Sequence, residues 1–343
     1  MKKIVLVTAL ILQSVIYSQT TIAKYAGEFL AIGVGGRSAG MGGAQVAIVN
    51  DVTAAYWNPA ALARIDYPQF SLMHEEKFGN LLNYNYAAVA FPFDKNMTFA
   101  VSAIRLGIDG IPDTRNALFD GLTGEPIDDI QNPNSRLDYS KITEFSNVDY
   151  AMYLSFAKRE TSEFYWGVNA KFIKRDIAEY SAWGIGFDVA AWYNPTENLF
   201  LGANLMDVTT TMVAWSPTGK IDLISPTLKT GVGYQIQFGK FYAMPSLDLD
   251  IRFENRQYSS NFNIGPISFD QKIGFEFAYN NLVALRMGYT DVQQFTIGTG
   301  IKLPKLNVDY SFARFSGSAD ETLGDSHRIS IILTLEETRF LRK

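Results

Sequence analysis

Cysteine is absent from the 343 residues, and histidine occurs only twice, at His74 and His327. The first absence excludes disulfides and thiolate metal sites, and the second leaves no imidazole cluster, so neither a metal nor a cofactor is expected. Charged residues make up 19% of the chain, below the roughly 25% usual in soluble domains. A net charge of −5 offers no basic face for nucleic acid. Long apolar runs are missing as well, with one exception: Lys2 and Lys3 are followed by IVLVTALILQSVIY and then by Ser18. That is the layout of a secretory signal peptide over residues 1–18, too short for a spanning helix, which needs about 20 residues. The rest of the chain is expected outside the cytoplasm, and a helical membrane protein is excluded.

What is plentiful is aromatic: 24 Phe, 18 Tyr and 5 Trp. From Tyr67 onward these residues recur with period two. Phe164, Trp166, Val168, Ala170 and Phe172 share one face of a segment whose other face carries Tyr165, Gly167, Asn169 and Lys171. Ile273, Phe275, Phe277 and Tyr279 alternate with Lys272, Gly274, Glu276 and Ala278, and Leu306, Val308, Tyr310 and Phe312 alternate with Asn307, Asp309 and Ser311. One bulky apolar face against one small or polar face, repeated in segments of about ten residues, is the pattern of transmembrane β-strands. The windows 67–75, 82–92, 96–107, 147–158, 163–174, 180–193, 198–212, 227–238, 241–253, 269–279, 282–289, 293–302, 305–315 and 326–335 make an even count of strands.

Connection lengths separate a barrel from a sandwich. Every second connection is tight, as at Asp94-Lys95-Asn96 or Gly239-Lys240, while the long ones, Ile108 to Asn147, Trp215 to Pro226, Glu254 to Phe269 and Ser316 to Asp325, fall on one end. Short turns at one end and long loops at the other are the asymmetry of outer-membrane barrels. The predicted fold is therefore all-β, a 14-stranded antiparallel transmembrane barrel. The longest loop is acidic, with Asp113, Asp120, Asp128 and Asp129 among its carboxylates, and is read as a solvated loop or a partner contact.

Ahead of the barrel lies a different kind of sequence, GGRSAGMGGAQVAIVNDVTAAYWNPAALARI over Gly35 to Ile65. Asp51 is placed to cap a short helix over VTAAYW, and Asn58 to cap a second turn with Pro59 at its first position. The glycines, Gly40, Gly42 and Gly43 among them, permit close backbone approach. A small plug is expected over residues 19–66, held inside a barrel of 67–335 and followed by a tail of 336–343.

The stretch FLAIGVGGRSAGMGGAQVAIVNDVTAAYWNPAALARI resembles the N-terminal signature of the PorV/PorQ family, relatives of the FadL-type outer-membrane proteins. The resemblance implies a 14-stranded barrel with a helical hatch inside the lumen, toward the periplasm, and long loops outside the cell. Its hatch residues would be Arg37, Gly40, Met41, Gly43, Asn50, Asp51, Trp57, Asn58 and Pro59, with structural or gating roles. It further implies a non-enzymatic accessory or shuttle in type IX protein secretion, whose partners are outer-membrane lipid and a translocon, attachment complex or secreted cargo. FadL-like transport of a hydrophobic ligand through the barrel is the alternative.

Of the remaining polar residues, Asp248, Asp250 and Arg252 alternate with apolar neighbours, and Lys171, Asp188, Lys229, Glu276 and Arg286 occupy similar inward positions. They are read as a lumen network that fastens the hatch or lines a path, with Arg37 paired to one of its carboxylates, since an unpaired buried guanidinium is strongly destabilising. His74 and His327 lie on the first and last strands, which adjoin in a closed barrel, and Asp325 and Ser326 precede His327. Chain adjacency is not triad geometry, and no catalytic role is expected.

Overall fold

A computed structural model describes residues 27–79, 81–254, 256, 260–315 and 325–342; the leader and most of the Ser316 to Asp325 loop lie outside them. Fourteen strands form the wall. They are β1 (Gln69–Lys77), β2 (Leu82–Pro92), β3 (Met97–Asp113), β4 (Thr143–Arg159), β5 (Phe164–Ile177) and β6 (Tyr180–Thr196). Next come β7 (Leu199–Met206 and Thr211–Ser216) and β8 (Ile221–Ile224, Thr227–Tyr234 and Ile236–Phe238). The rest are β9 (Phe241–Arg252), β10 (Ile267–Tyr279), β11 (Val283–Tyr289), β12 (Gln294–Lys302), β13 (Leu306–Phe315) and β14 (Ser326–Thr334). Each pairs antiparallel with its sequence neighbours, and β1 pairs with β14 from Gln69↔Thr334 to Glu76↔His327, which closes the sheet. Closure removes both edges, so no row of backbone groups is left unpaired toward the surroundings.

The pleat sorts the side chains. Outward positions such as Phe187, Val189, Leu285 and Met287 are exposed and apolar, while Asn169, Lys171, Asp188, Asp248 and Glu276 face inward and are buried. At the short-turn end an outer row of rings runs through Phe93, Phe99, Phe156 and Trp166, with successive centroids 5.8, 5.2 and 5.6 Å apart, in the manner of an aromatic girdle.

Four strands, β3, β4, β7 and β8, depart from their predicted windows. β8 begins at Ile221 and pairs there with Thr211–Ser216, so the connection read as long from Trp215 to Pro226 is a short turn. β3 and β4 run on to Asp113 and back from Thr143, paired beyond a register shift between Ile108 and Ile111, so the acidic loop is shorter than its sequence window. It contains its own two-stranded hairpin, Leu118–Asp120 against Ser135–Leu137. The window 198–212 is interrupted: residues 207–210 leave the ladder, with Asp207 and Thr210 at positive φ. Alternation could not disclose this, because Asp207 turns inward to meet charges on β5 and β6 and leaves its strand to do so.

Inside the wall, the segment from Gly27 to Ile65 descends from the long-loop end to the short-turn end. It has little regular structure: α1 (Gly36–Gly40), α2 (Ala54–Trp57) and two 3₁₀ turns, Glu28–Leu30 and Pro59–Arg64. Val34, Val46, Val49, Val52, Ala54 and Leu62 are fully buried and form one apolar core with inward wall residues such as Tyr84, Ile104, Tyr153 and Ile173. Its backbone rests directly on the wall at Gly202 and Gly288. A Cβ on Gly202 would lie 2.3 Å from the Val46 carbonyl oxygen, and one on Gly288 would lie 2.2 Å from the Gly42 nitrogen.

Gly288→Val suits a β-strand in its own propensity yet must displace the hatch. Overpacking of this kind costs about 1–3 kcal/mol, and trypsin should then cut after Arg37 or Arg64 in the folded barrel while leaving the wild type intact. Equal urea midpoints and equal protease resistance would show that the hatch does not seat on β11.

Candidate functional site: the hatch and its charged seams

Bonds within the hatch hold its shape. Ser38 Oγ donates to the Gly35 carbonyl at 2.8 Å and to that of Val34, and Trp57 Nε1 donates to Val34 O at 2.9 Å. Asp51 Oδ1 accepts from Thr53 N at 2.8 Å and from Thr53 Oγ1 at 2.5 Å. It therefore fixes the turn that precedes the helix, which starts at Ala54 and has no side-chain cap. The sequence reading put that helix start two residues too early. Asn58 Oδ1 accepts from Ala60 N at 3.1 Å, with Pro59 at the first position of the turn, while its Nδ2 reaches Val46 O and Ala191 O, both at 3.0 Å. Asn58 thus starts one element and fastens it to another stretch of hatch and to β6.

Charged seams line the wall, and two of the three that follow bond the hatch directly. In the first, Arg37 Nε and Nη2 donate to Glu276 Oε2 and Oε1, both at 2.9 Å, and a third bond runs from Arg37 Nη1 to Asn50 Oδ1 at 2.9 Å. Glu276 also accepts from Arg286 Nε at 2.5 Å and from the Tyr242 hydroxyl at 2.9 Å, and Arg286 continues to Asp309 at 2.7 Å. In the second, Lys171 lies 3.2 Å from Asp188 and 2.6 Å from Asp207, and Asn169 links Asp188 (3.2 Å) to the Ala55 carbonyl (2.9 Å). In the third, Asp250 takes Lys272 at 2.5 Å and Lys229 at 3.6 Å.

Asp248, two residues away on the same face, does not join that ion pair. Its Oδ2 accepts from the backbone nitrogens of Gln45 (2.6 Å) and Val46 (2.8 Å), so a carboxylate stands in for a strand partner to the hatch. Arg252 is elsewhere again, 3.5 Å from Glu28 and 3.7 Å from Asp270 near the long-loop end. The candidate lumen residues accordingly divide among several seams spaced around the wall instead of forming one network. A further seam is built on two residues the sequence reading did not single out, Glu75 and Arg328, 2.6 Å apart, with Ser326 2.5 Å from Glu75. Both Glu75 and Arg328 sit at inward positions of alternating strands, so the pleat was the signal that could have found them.

The two histidines do not share a site. His74 Nδ1 is 2.7 Å from Asn85 Oδ1, His327 Nδ1 is 2.7 Å from the Tyr310 hydroxyl, and both rings are on the outer face. Ser326 points inward to Glu75 and away from His327, so the Asp325-Ser326-His327 run has no triad geometry. Among the described residues no group of His, Asp or Glu could hold a metal ion. In the turn between β5 and β6, Glu179 is held below the usual carboxylate range by its hydrogen bond from Arg115.

The hatch leaves space on two sides. A cavity of about 200 Å³ toward the long-loop end is bounded by Ile32, Ser38, Ala39, Gly43 and Trp57 of the hatch, with Lys272 and Arg328 among its wall residues. A second, of about 520 Å³, lies toward the short-turn end and is bounded by Arg37, Asn50, Asp51, Tyr242, Glu276 and Arg286. Arg37 lines one and Ser38 the other, so a single turn of hatch stands between them.

No protein-family model matches the chain, and no curated protein sequence does. Its fold is similar to solved structures. The toluene transporter TodX of Pseudomonas putida aligns with 88% of this chain and 97% of its own, at 12% identity and a TM-score of 0.55. The toluene transporter TbuX of Ralstonia pickettii aligns over 88% and 97%, at 13% identity and 0.52. At these identities the likeness is one of fold. It agrees with the closed antiparallel barrel read from the sequence and lends nothing to the narrower PorV/PorQ assignment.

Removing Glu276 leaves Arg37 with no carboxylate and Arg286 with Asp309 alone, whereas removing Arg37 leaves Glu276 with Arg286 and Tyr242. Glu276→Ala should therefore cost about 3–5 kcal/mol, and Arg37→Ala less, as measured by urea unfolding. The double variant should fall short of the sum; additivity within about 0.5 kcal/mol would mean that the two do not couple.

Proposed function

We propose that this chain is an outer-membrane barrel that takes up a hydrophobic small molecule, with the long-loop end outside the cell and the short-turn end in the periplasm. The observation that carries the reading is the pair of cavities divided by one turn of hatch, Arg37 to Gly43. Ala31, Ile32, Ala39 and Trp57 of the hatch give the outer cavity an apolar floor beside Glu28, under a wall that carries Lys77, Arg252, Lys272 and Arg328; the floor is the part that suits a hydrophobic ligand. Movement of that turn would join the cavities, and the Arg37–Glu276 bonds are what oppose it. The fold likeness to two transporters of toluene supports uptake over the secretion role that the sequence reading put first, for which no observation speaks.

Cells that carry the wild-type protein in their outer membrane should take up toluene faster than cells that lack it. Ala39→Trp, which fills the outer cavity at the hatch, should lower that rate severalfold, while Asn50→Ala on the other side should not. Uptake no faster than in cells without the protein would defeat the reading. Recovery of a secretion translocon with the tagged barrel in mild detergent would replace it by the accessory role.

A further inference from the structure

On the outer wall across β14, β1, β2, β3 and β4, polar side chains stand beside a gap between larger apolar ones. One row of outward positions, in register along the sheet, is Ile331, Leu72, Ala87, Ala103 and Met152. The next row toward the long-loop end is Ile329, His74, Asn85, Arg105 and Tyr150. Two adjacent alanines between larger neighbours leave a groove of about 490 Å³, floored by Ala87 and Ala103 and walled by Leu72, Ile331 and Tyr150.

Polar side chains stand at the head of this groove. Asn85 Oδ1 is engaged by His74 at 2.7 Å, which leaves the Asn85 amide N–H groups as donors. Glu76 is one row further on and lies 3.4 Å from His74 Nε2. Arg105 has no carboxylate and no hydrogen-bond acceptor among the described residues. Its guanidinium extends along its own strand over Gly107, where a Cβ would come within 2.8 Å of Nη1. An uncompensated cation on the lipid face of a barrel is destabilising, and here it sits directly above a channel of methyl groups.

We propose that the groove holds one acyl chain of an anionic phospholipid, whose phosphate, with no cation of its own headgroup beside it, is bound by Arg105 and Asn85. The two ends of the site match the two ends of such a lipid: an apolar slot, then a cation and an amide donor. A protein partner would need about 800 Å² of its own surface in contact, and would have to spread over flanking residues that differ in no way from the rest of the outer face. The inference requires only that the barrel sits in a bilayer, and it stands or falls separately from transport through the hatch.

Native mass spectrometry of the full-length protein in mild detergent, offered phosphatidylglycerol or phosphatidylcholine, tests it. One phosphatidylglycerol should remain bound in preference to phosphatidylcholine. Arg105→Gln should weaken its retention about tenfold, as expected for the loss of one charge-assisted bond. Ala103→Leu should abolish retention by filling the slot, and both variants should keep the wild-type thermal midpoint and toluene uptake. Added inorganic phosphate should not displace the lipid; displacement would reassign the site to a free anion. Unchanged retention in both variants, equal binding of phosphatidylcholine, or release of a co-purifying protein by Ala103→Leu would each overturn the proposal.

Discussion

The hatch depends on one constraint: a chain threaded through a closed barrel must find partners for its backbone polar groups, and it has almost no helix or strand of its own to provide them. Buried N–H and C=O groups are nearly always paired in native proteins. The wall meets this need with side chains. Asp248 takes the Gln45 and Val46 nitrogens, Asn169 gives to Ala55, Asn204 gives to the Trp57 carbonyl at 3.1 Å, and Ser330 accepts from Gly36 at 2.8 Å. The polarity of the lumen is thus in large part the complement of an irregular peptide.

That complementarity explains why the charges are grouped as seams. A carboxylate brought into the lumen to hold a backbone nitrogen or a hatch arginine must itself be compensated, and a lysine or arginine on a neighbouring strand is the nearest candidate. Glu276 with Arg286 and Asp250 with Lys272 are pairs of this kind across adjacent strands. Where the backbone of the hatch approaches the wall too closely for any side chain, as at Gly202 and Gly288, the strand gives up its Cβ instead. Polar seams and bare glycines are two responses to the same distance between plug and wall.

Alternation made the barrel legible because a closed sheet between lipid and lumen has only two environments, and period two separates them at every strand. The inward side of Lys171, Asp188 and Glu276 could be read in the same way. Partner identity could not: charge says that Arg37 needs a carboxylate, but Glu276 lies 239 positions away and is chosen by barrel closure and hatch path together. Local chemistry located Asn58 and Pro59 at the start of a turn, while Asp51, with a threonine two residues on, bonded to that residue and moved the helix start. The break at Asp207 was hidden for a related reason, since a residue that leaves the ladder no longer obeys the pattern used to find it.

That break shows how the wall yields to its contents. Residues 207–210 keep one backbone bond to β6, from Val208 N to Phe187 O at 2.9 Å, while the Asp207 nitrogen donates to Asp188 at 2.9 Å and its carboxylate meets Lys171 at 2.6 Å. Lys171 is fully buried, and with Asp188 alone it would have one carboxylate to answer its ammonium and all of its lost hydration. Bending β7 inward supplies the second, and Thr211 then bonds Asp207 in turn. The strand is interrupted at the height where Asn169 and Asp188 reach the α2 segment of the hatch, so the same few residues that fix the plug also determine where the sheet must depart from regularity.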